Sequence, residues 1–574
     1  MKRGVIVVGS GLAAILFLLA LQLYYFSGIV ASDDMGYVRV ARAHVAGGSL
    51  PLETDRMFAL YYSRFVHWKP IQWAMQICPR HPWAIVVPSL ISSAVISLVI
   101  LSLASQLRLE WSWLPVLIHG LIPLNVAIAS TAFPDLNGAA LVWLGIWLVA
   151  PLLLDAKNRL RASAPEPDAG GSRDKPHLLS NTDVLVSLRC MAGGLLMGAG
   201  YTAKESMVFV VPCLLLFVAL FRRECAWARR RSFWLCLGAG VWLMIEAAVM
   251  YVWTGKPLFH RYALEIWAHD RPYMTVGADD WTSLFGYWSN YLRWLTDWRS
   301  AYGPMGPLLL LFLAASVVHL IRSTRRARPD NSPESDTLGF EQLMLCLVLP
   351  GLVFFSLLLF DQPRYLLPLF PAMALLAASA IERLVRGVSW RRAALGLSAI
   401  PVVGLSVLGP NEMVGRWYYA RHVAASRDLL ENHLPAGDIR LLTSFSYSAR
   451  IDQLPQWIGC PPINPVRLPA PSTCSEWVDR YGGSYVITMR FDRAGHRDPR
   501  RTPQTLFGEP STSLASFERV ARCEPPHNRL DATLAMLLGR PTPTQPDDAV
   551  ELWRVPTQDE WRQSGEARLP PVSK

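Results

Sequence analysis

Uncharged apolar blocks of about 20 residues recur along this chain of 574 residues, and they constrain its fold more than any other feature. A helix of about 20 apolar residues can cross the hydrocarbon core of a bilayer, which is about 30 Å thick. Only 17% of the residues are charged, against about 25% in a typical soluble protein. This composition excludes a disordered chain, a collagen-like chain and a disulfide-rich scaffold. We therefore expect a polytopic α-helical membrane protein.

The apolar blocks predict about eleven transmembrane helices. The first block follows Lys2 and Arg3. It is longer than the apolar region of a secretory signal peptide, so we expect it to be retained as a span. The predicted spans lie at about 5–30, 84–105, 113–130, 137–154, 189–203, 206–221, 233–253, 305–321, 342–360, 366–385 and 393–409.

The loops between these predicted spans alternate in charge. Lys and Arg concentrate in one set of loops, which includes the basic runs at 222–231, 322–328 and 383–392. Because positive residues in short loops favour the cytoplasmic side, we expect a multi-pass protein of the plasma (inner) membrane with a cytoplasmic N-terminus and an extracytoplasmic C-terminus. The net charge of +11 is then a topology signal, and we expect no nucleic-acid partner.

The composition of the chain changes near residue 410 and divides it into two predicted domains. Residues 1–410 hold the predicted spans and two long outer loops, at 31–83 and 254–304. Residues 411–574 alternate between helix and strand patterns, which predicts a small extracytoplasmic α/β domain. This domain has no Gly-rich phosphate loop. Its predicted helices lie at 418–433 and 475–481, and its predicted strands at 439–444, 483–489 and 549–555.

Two adjacent carboxylates, Asp33 and Asp34, follow the first predicted span on the outer side, within the sequence SDDMGY that begins at Ser32. One interpretation is structural: Ser32 or Asp33 caps an interfacial helix, and Asp34 lies in its favourable first turn. The other interpretation is functional. A carboxylate at the mouth of a membrane cavity can serve as a general base.

Three cations are also predicted on the outer side at bilayer level: Lys69, Lys204 and Arg364. A lone Lys or Arg in such a place commonly extends to the lipid headgroups. Three of them on the same side as an acidic pair also suit a clamp for a phosphate group.

Other ionisable residues give weaker signals. Glu246 lies inside a predicted span, where a charge is costly, so it either has a function or pairs with a neighbouring helix near the outer interface. The histidines of the outer loops show no metal-binding spacing, and we expect most of them at the surface or the interface. These are His44, His67, His81, His260 and His269.

Taken in order, these motifs resemble those of the GT-C membrane glycosyltransferases, in particular the branch with protein O-mannosyltransferases and lipid A aminoarabinose transferases. The resemblance extends over roughly residues 1–410. At Asp34 the chain departs from the family, in which Glu is usual. The matching motifs are Asp33-Asp34 with Tyr37, Gly47-Gly48, Lys69-Pro70, Pro134-Asp135, Lys204 after Gly198-Ala199-Gly200-Tyr201, and Arg364-Tyr365 with Pro368 and Pro371.

The resemblance implies the GT-C fold and a sugar-transfer reaction. The donor would be a sugar on a polyprenyl phosphate, presented from the outer leaflet. Asp33 would take a proton from an acceptor hydroxyl or amine, which would attack the anomeric carbon with inversion. Lys69 and Arg364, and after them Lys204, would stabilise the negative charge on the departing phosphate.

The resemblance also implies roles around the substrates. Asp34, Asp135 and Tyr37 would position the acceptor, although Asp135 equally suits a cap of the fourth span. Tyr365 would line the substrate site beside Arg364. No cofactor is expected, because fixed cations can serve the leaving phosphate, and a divalent metal is left open.

The motifs leave alternatives open. A transporter or flippase of lipid-linked saccharides would also place charges in membrane helices, although transporters commonly contain inverted repeats and midplane charges. A non-catalytic membrane scaffold is a third possibility. For an enzyme, the acceptor could be a protein, lipid A, a polysaccharide or another glycolipid, and the bilayer is a partner in every case.

Overall fold

The computed structural model forms two compact units. Unit 1 consists of Met1–Phe26, Ala46–Gln72 and Val87–Pro410, and unit 2 of Ser27–Val45, Trp73–Val86 and Asn411–Lys574. The described residues are 2–25, 33–47, 56–78, 83–107, 109–154, 181–269, 291–298, 300–325, 333–357, 363–386, 388–416, 420–443, 463–465, 471, 473–489, 517–524 and 549–564.

Helices account for nearly all of the described structure before residue 417. Two 3-10 helices, Glu205–Phe209 and Pro363–Leu369, lead directly into the α-helices that follow them. The α-helices are α1 (Lys2–Tyr24), α2 (Asp33–Val45), α3 (Arg56–Ser63), α4 (Phe65–Ile77), α5 (Trp83–Gln106), α6 (Leu114–Gly120), α7 (Pro123–Ala129), α8 (Pro134–Leu154), α9 (Asn181–Ala203), α10 (Val210–Phe221), α11 (Ala226–Thr254), α12 (Phe259–His269), α13 (Met305–Arg325), α14 (Pro333–Leu357), α15 (Phe370–Val385) and α16 (Ser389–Arg416).

Seven helical segments in the described part of the chain are long and apolar enough to cross a membrane: α5, α8, α9, α11, α13, α14 and the continuous segment Pro363–Val385. Shorter apolar helices at Gly9–Tyr24 and Glu205–Phe221 coincide with two further predicted spans. The chain is therefore a mostly helical, multi-pass membrane protein. The total of eleven spans and their orientation stay predictions.

The predicted span at 113–130 is not one continuous helix. It consists of α6 and α7, each of 7 residues, separated by Leu121 and Ile122. Pro123 begins α7. A helix that ran through this proline would lose a backbone hydrogen bond and would press the ring against the carbonyl group of His119. The hydropathy of the segment is unaffected by the proline, which is why the apolar pattern predicted a single helix.

Glycines allow α8 and α9 to pack with their backbones close together. A Cβ atom added at Gly145 would lie 2.7 Å from the carbonyl oxygen of Gly193, and one added at Gly200 would lie 2.9 Å from that of Gly138. The two contacts are seven residues apart on each helix and occur in opposite order, so the helices run antiparallel. Small residues commonly permit such approach between membrane helices.

Helix α11 packs against α9 in the same way. A Cβ atom at Gly194 would meet the backbone carbonyl of Leu235, and one at Gly238 would meet the backbone carbonyl of Met191. The three helices α8, α9 and α11 therefore form a tightly packed layer whose glycines cannot be enlarged without separating the helices.

We expect Gly238→Ala to destabilise the protein, because its methyl group would meet a backbone carbonyl that cannot rotate away. Overpacking of this kind costs about 1–3 kcal/mol. Gly240→Ala, on the same helix, is the control, since nothing lies within 4 Å of its Cβ position. Thermal unfolding in detergent should give a lower midpoint for Gly238→Ala only. Equal midpoints for the two variants would contradict the close packing of α9 and α11.

The tail of the chain contains a five-stranded mixed sheet in unit 2. Its strand order is β2-β1-β3-β5-β4, with β1 parallel to β2 and β3, and β5 antiparallel to β3 and β4. The strands are β1 (Leu441–Thr443), β2 (Ile463–Pro465), β3 (Tyr485–Met489), β4 (Glu518–Cys523) and β5 (Val550–Arg554), and the helices are α17 (Ala420–Asn432), α18 (Cys474–Tyr481) and α19 (Gln558–Ser564).

Helix α18 lies between β2 and β3 in the chain and covers the sheet with its apolar side. Trp477 and Tyr481 pack with Leu442, Val486 and Trp553 in one buried cluster. Strands β1, β3 and β5 coincide with the three predicted strands. Strands β2 and β4 lack an apolar alternation, the first being three residues that end in proline and the second mostly exposed. The extracytoplasmic location of this sheet stays a prediction.

Candidate active site

Arg64 forms a buried, two-pronged ion pair at the corner between α3 and α4. Its Nε and Nη2 atoms each donate to one carboxylate oxygen of Glu205, at 2.6 Å in both cases. Glu205 is the first residue of the 3-10 helix that follows α9. Parallel hydrogen bonds between a guanidinium and a carboxylate fix orientation as well as distance. The pair therefore ties the α3–α4 corner to the C-terminal end of α9.

His260, near the start of α12, joins this pair to a second carboxylate. Its Nε2 atom lies 3.0 Å from Glu205 Oε1, and its Nδ1 atom lies 3.0 Å from Glu246 Oε1. Burial lowers the pKa of His260, but the two carboxylates outweigh burial and raise the pKa to about 9. The ring is therefore an imidazolium at neutral pH. We call Arg64, Glu205, His260 and Glu246 the ion network; its two cations and two anions sum to zero charge.

Neutral side chains of α9 and α11 form hydrogen bonds that extend from Glu246 of the ion network. Thr202 of α9 donates to Glu246 Oε2 at 3.0 Å, and Trp242 of α11 donates to the hydroxyl oxygen of Thr202 at 2.9 Å. In the described part of the chain, no cluster of three or more His, Cys, Asp or Glu residues is arranged to hold a metal ion.

His67 is fully buried and anchors α4 to the start of α8. Its Nε2 atom lies 2.7 Å from the carbonyl oxygen of Ala132, and its Nδ1 atom lies 2.8 Å from the amide nitrogen of Asn137. The amide oxygen of Asn137 accepts a hydrogen bond from Ser92 at 2.8 Å. Burial lowers the pKa of His67 to about 3, so the ring is neutral and its tautomer is fixed by these two partners.

Lys204 lies in extended backbone between α9 and the 3-10 helix, and its side chain is buried. Its Nζ atom is 4.0 Å from Asp135 Oδ1 and 4.9 Å from the ring centre of Tyr365. Arg364 adds a second buried cation, with its Cζ atom 4.4 Å from the ring of Phe133 and 6.0 Å from that of Tyr365. We call Lys204, Asp135, Arg364, Tyr365 and Phe133 the cationic group.

Asp135 is buried within this cationic group. Its Oδ2 atom has no hydrogen-bond partner among the described residues. A buried carboxylate oxygen without a donor is costly, so this oxygen favours a ligand that can donate a hydrogen bond.

Lys69 lies on α4 among aromatic side chains. Its Nζ atom is 4.8 Å from the ring centre of Trp68 and 5.3 Å from that of Trp253, and it donates to Gln72 Oε1 at 2.9 Å. The Trp68 ring is held in turn by a hydrogen bond from its Nε1 atom to the carbonyl oxygen of Tyr62. Burial lowers the pKa of Lys69, which follows from this aromatic environment.

The structure brings together four of the eight predicted site residues. Asp135, Lys204, Arg364 and Tyr365 form the cationic group, and Lys69 lies in the same unit. The remaining three belong to unit 2, where α2 begins at Asp33. The side chains of Asp33 and Asp34 lie outside the described residues, and Tyr37 is fully buried.

The sequence did not predict the ion network. Arg64 is a lone charge in an aromatic stretch, and Glu205 follows Lys204 within an already noted motif. The costly position of Glu246 was the one usable signal, and the structure gives it a neighbouring-helix partner. The expectation that most outer-loop histidines lie at the surface or the interface is wrong for His67 and His260, which are 0% and 5% exposed. Their burial depends on partners distant in sequence.

No family model and no curated protein matches the chain. Among solved structures, the chain is similar to apo ArnT from Cupriavidus metallidurans, with 14% identity over 84% of this chain and 93% of that one, at a TM-score of 0.48. The chain is also similar to ArnT from the same organism bound to undecaprenyl phosphate, with 15% identity over 89% of this chain and 96% of that one, at a TM-score of 0.46.

An oligosaccharyltransferase from Archaeoglobus fulgidus, tethered to an acceptor peptide with the NVT sequon, gives 12% identity over 83% of this chain and 69% of that one, at a TM-score of 0.43. ArnT, a lipid A aminoarabinose transferase, is from the branch that the sequence motifs resemble. All three TM-scores lie below 0.5, so the residues of the site carry the functional interpretation.

The raised pKa of His260 predicts that stability depends on pH. A group whose pKa rises from 6.5 to about 9 on folding stabilises the fold fully below pH 6.5, and this contribution is lost as the pH rises through 9. At 1.36 kcal/mol per pKa unit, the contribution is about 3 kcal/mol. We expect the thermal unfolding midpoint of the wild type in detergent to fall as the pH rises from 6.5 to about 9.

His260→Gln with Glu246→Gln is the comparison variant, because it removes one cation and one anion together and neither glutamine titrates. We expect it to be less stable than the wild type below pH 6.5 and to show a flatter pH profile. Parallel profiles for the two proteins would rule out a charged His260 in the folded state.

Proposed function

We propose that this chain is a membrane glycosyltransferase that transfers a sugar from polyprenyl phosphate to an acceptor on the extracytoplasmic side, with inversion. One observation supports the proposal above the others. Asp135, Lys204, Arg364 and Tyr365 belong to three separate sequence motifs, yet they meet in one buried cationic group. Membrane-spanning helices of arbitrary origin would have no reason to collect these motifs at one place.

The proposed reaction exchanges one bond at the anomeric carbon. Asp33 accepts the proton of an acceptor hydroxyl or amine, and the freed electron pair forms the new bond to the anomeric carbon. The bond from that carbon to the phosphate oxygen breaks, and polyprenyl phosphate leaves with its electron pair. Attack from the side opposite the leaving group inverts the configuration. Asp33 later releases the proton to water.

Cations stabilise the charge that develops on the departing phosphate. Lys69, Arg364 and Lys204 serve this role, and Tyr365 holds the Lys204 ammonium over its ring. Such preorganised charge is most effective where water is excluded, and Lys204 and Arg364 are both buried. This assignment requires no metal ion, because lysine and arginine provide the positive charge.

Acidic residues bind the acceptor in this proposal. The unpartnered Oδ2 atom of Asp135 accepts a hydrogen bond from a second hydroxyl or amine of the bound substrates. Asp34 and Tyr37, which lie close to Asp33 in the sequence, orient the acceptor. The N-terminus is cytoplasmic and the sheet-containing tail is extracytoplasmic, as the loop charges predict.

Asp33→Asn tests the general base. Asparagine has a similar size and is also a good N-cap, so the capping interpretation of Asp33 predicts near-normal turnover. The catalytic proposal predicts a loss of about 100- to 10,000-fold with an unchanged unfolding midpoint. The measurement is release of polyprenyl phosphate from undecaprenyl phosphates that carry a hexose, a pentose or an aminopentose.

The same assay separates the transferase from a flippase. In detergent solution there are no compartments, so a flippase alone releases no polyprenyl phosphate from the glycosylated lipid. Release by the wild type, lost in Asp33→Asn and less affected in Asp34→Asn, supports the transferase. Full turnover in Asp33→Asn would move the base to Asp34 or Asp135.

A second prediction concerns the cations. Replacing Lys69, Lys204 or Arg364 by methionine removes a charge while keeping much of the side-chain volume. A hydrogen bond to a charged group contributes about 1.5–3 kcal/mol, so each variant should bind undecaprenyl phosphate about 10- to 100-fold more weakly. Wild-type affinity in all three variants would contradict the phosphate site.

A further inference from the structure

We infer that the ion network is a positioning device, which fixes the backbones that carry Lys69 and Lys204 so that both can hold one phosphate. The inference rests on the proposed function. It assigns no contact with the phosphate to Arg64, Glu205, His260 or Glu246. Their effect on the phosphate passes through the two lysines.

The first observation is the place of the ion pair in the chain. The carbonyl group of Arg64 accepts hydrogen bonds from the backbone N–H groups of His67 and Trp68, at 2.9 and 3.3 Å, and so forms the first turn of the helix that carries Lys69. Glu205 follows Lys204 directly. The bidentate contact between Arg64 and Glu205 therefore joins the two lysine-bearing backbones through two short hydrogen bonds.

The second observation is the difference in charge balance between the ion network and the lysines. Both oxygens of Glu205 are occupied by Arg64, and the network is neutral as a whole, so it attracts no anion itself. Lys204 has its nearest described carboxylate oxygen at 4.0 Å, and Lys69 donates to the neutral amide of Gln72. The network thus holds the lysine-bearing segments without using up the charge of either lysine.

The third observation is that the other half of the network is attached to the rigid helix layer. Glu246 lies on α11 and accepts from Thr202 of α9, where glycines already hold the two backbones together. His260 connects this carboxylate to Glu205. The position of Lys204 is therefore set by α9 and α11, and the position of α4 is set relative to both.

Rigid placement of this kind matters because lysine has a long, flexible side chain. Fixing the backbone near each ammonium reduces the conformational freedom that is lost when both bind one ligand. A misplacement of about 1 Å at a reacting centre can cost about 100-fold in rate. Loosening the ion network should therefore weaken phosphate binding while both lysines remain present.

The test variant is the double substitution Arg64→Gln with Glu205→Gln. It removes one cation and one anion, so the network stays neutral, with His260 still beside Glu246. This avoids the uncompensated buried charge that a single substitution would leave. Glutamine side chains can still form hydrogen bonds, although not the paired contacts of a guanidinium with a carboxylate.

The chain offers a matched control in a second buried carboxylate cluster. Glu341 of α14 is 1% exposed in its side chain and contacts Arg383 and Ser379 of α15, with His319 of α13 at 3.1 Å. Glu341→Gln with Arg383→Gln removes a second carboxylate–guanidinium pair, in which the carboxylate is buried and Arg383 is partly exposed, and neither residue forms an ion pair with Lys69 or Lys204 among the described residues. We expect this control to change stability and to leave phosphate affinity unchanged.

The readout is the dissociation constant of undecaprenyl phosphate for the full-length protein in detergent, normalised to the folded fraction. We expect about 10-fold weaker binding for Arg64→Gln/Glu205→Gln, by analogy with the loss of one charged hydrogen bond, together with a higher KM for the glycosylated lipid. A purely structural role predicts a lower unfolding midpoint with unchanged affinity in the folded fraction. That result, or equal weakening in the control, would overturn the inference.

Failure of the inference can be told apart from failure of the proposed function. If Lys69→Met and Lys204→Met bind undecaprenyl phosphate like the wild type, the phosphate site itself is wrong. If these two variants bind weakly while Arg64→Gln/Glu205→Gln binds normally, the site stands and the positioning role is refuted. Weak binding in all three of these variants, with normal binding in the Glu341→Gln/Arg383→Gln control, supports both the proposed function and the positioning role.

Discussion

The backbone contact among α8, α9 and α11 is the constraint on which the candidate site depends. A Cβ atom at Gly138 would lie 3.1 Å from the Cβ atom of Lys204 and 3.2 Å from the carbonyl oxygen of Gly200. Because Asp135 lies one turn earlier on the same helix, the depth of this contact determines how far its carboxylate is from the Lys204 ammonium. A larger residue at any of these glycines would separate the helices and, with them, the charges.

Burying charge at the ends of these helices divides the site into two parts with different physical roles. The ion network is neutral and internally paired, so the attraction between its opposite charges offsets desolvation on burial. The cationic group is arranged around two cations and one carboxylate, which suits an anionic ligand. In our proposal the neutral ion network positions the backbones that carry the lysines, and the cationic group binds the phosphate. Arg64 and Lys69, five residues apart, therefore have different functions although both are basic.

Much of the fold could be predicted from local patterns, because a 20-residue apolar run and a period-two strand depend on neighbouring residues only. Within the described residues, the predicted spans coincide with helices except at 113–130, where Pro123 divides the segment. Strands β2 and β4 were not predicted, since their pairing partners and not their own apolar pattern hold them in the sheet. Most outer-loop histidines were expected at the surface or the interface, and His67 and His260 are buried instead, because nothing close in the sequence indicates their partners.

The sequence by itself determined that the chain is a multi-pass membrane protein and that Asp33, Lys69, Lys204 and Arg364 belong to an ordered set of motifs. Hydropathy and motif order are properties of the linear sequence, so they can be determined without the tertiary structure. Only the tertiary structure decided that Lys204 meets Asp135 and Tyr365, and that Arg64 is committed to Glu205. Those contacts join segments far apart in the sequence, so no local pattern indicates them, and the close glycine packing of α8 on α9 sets the distance between Asp135 and Lys204.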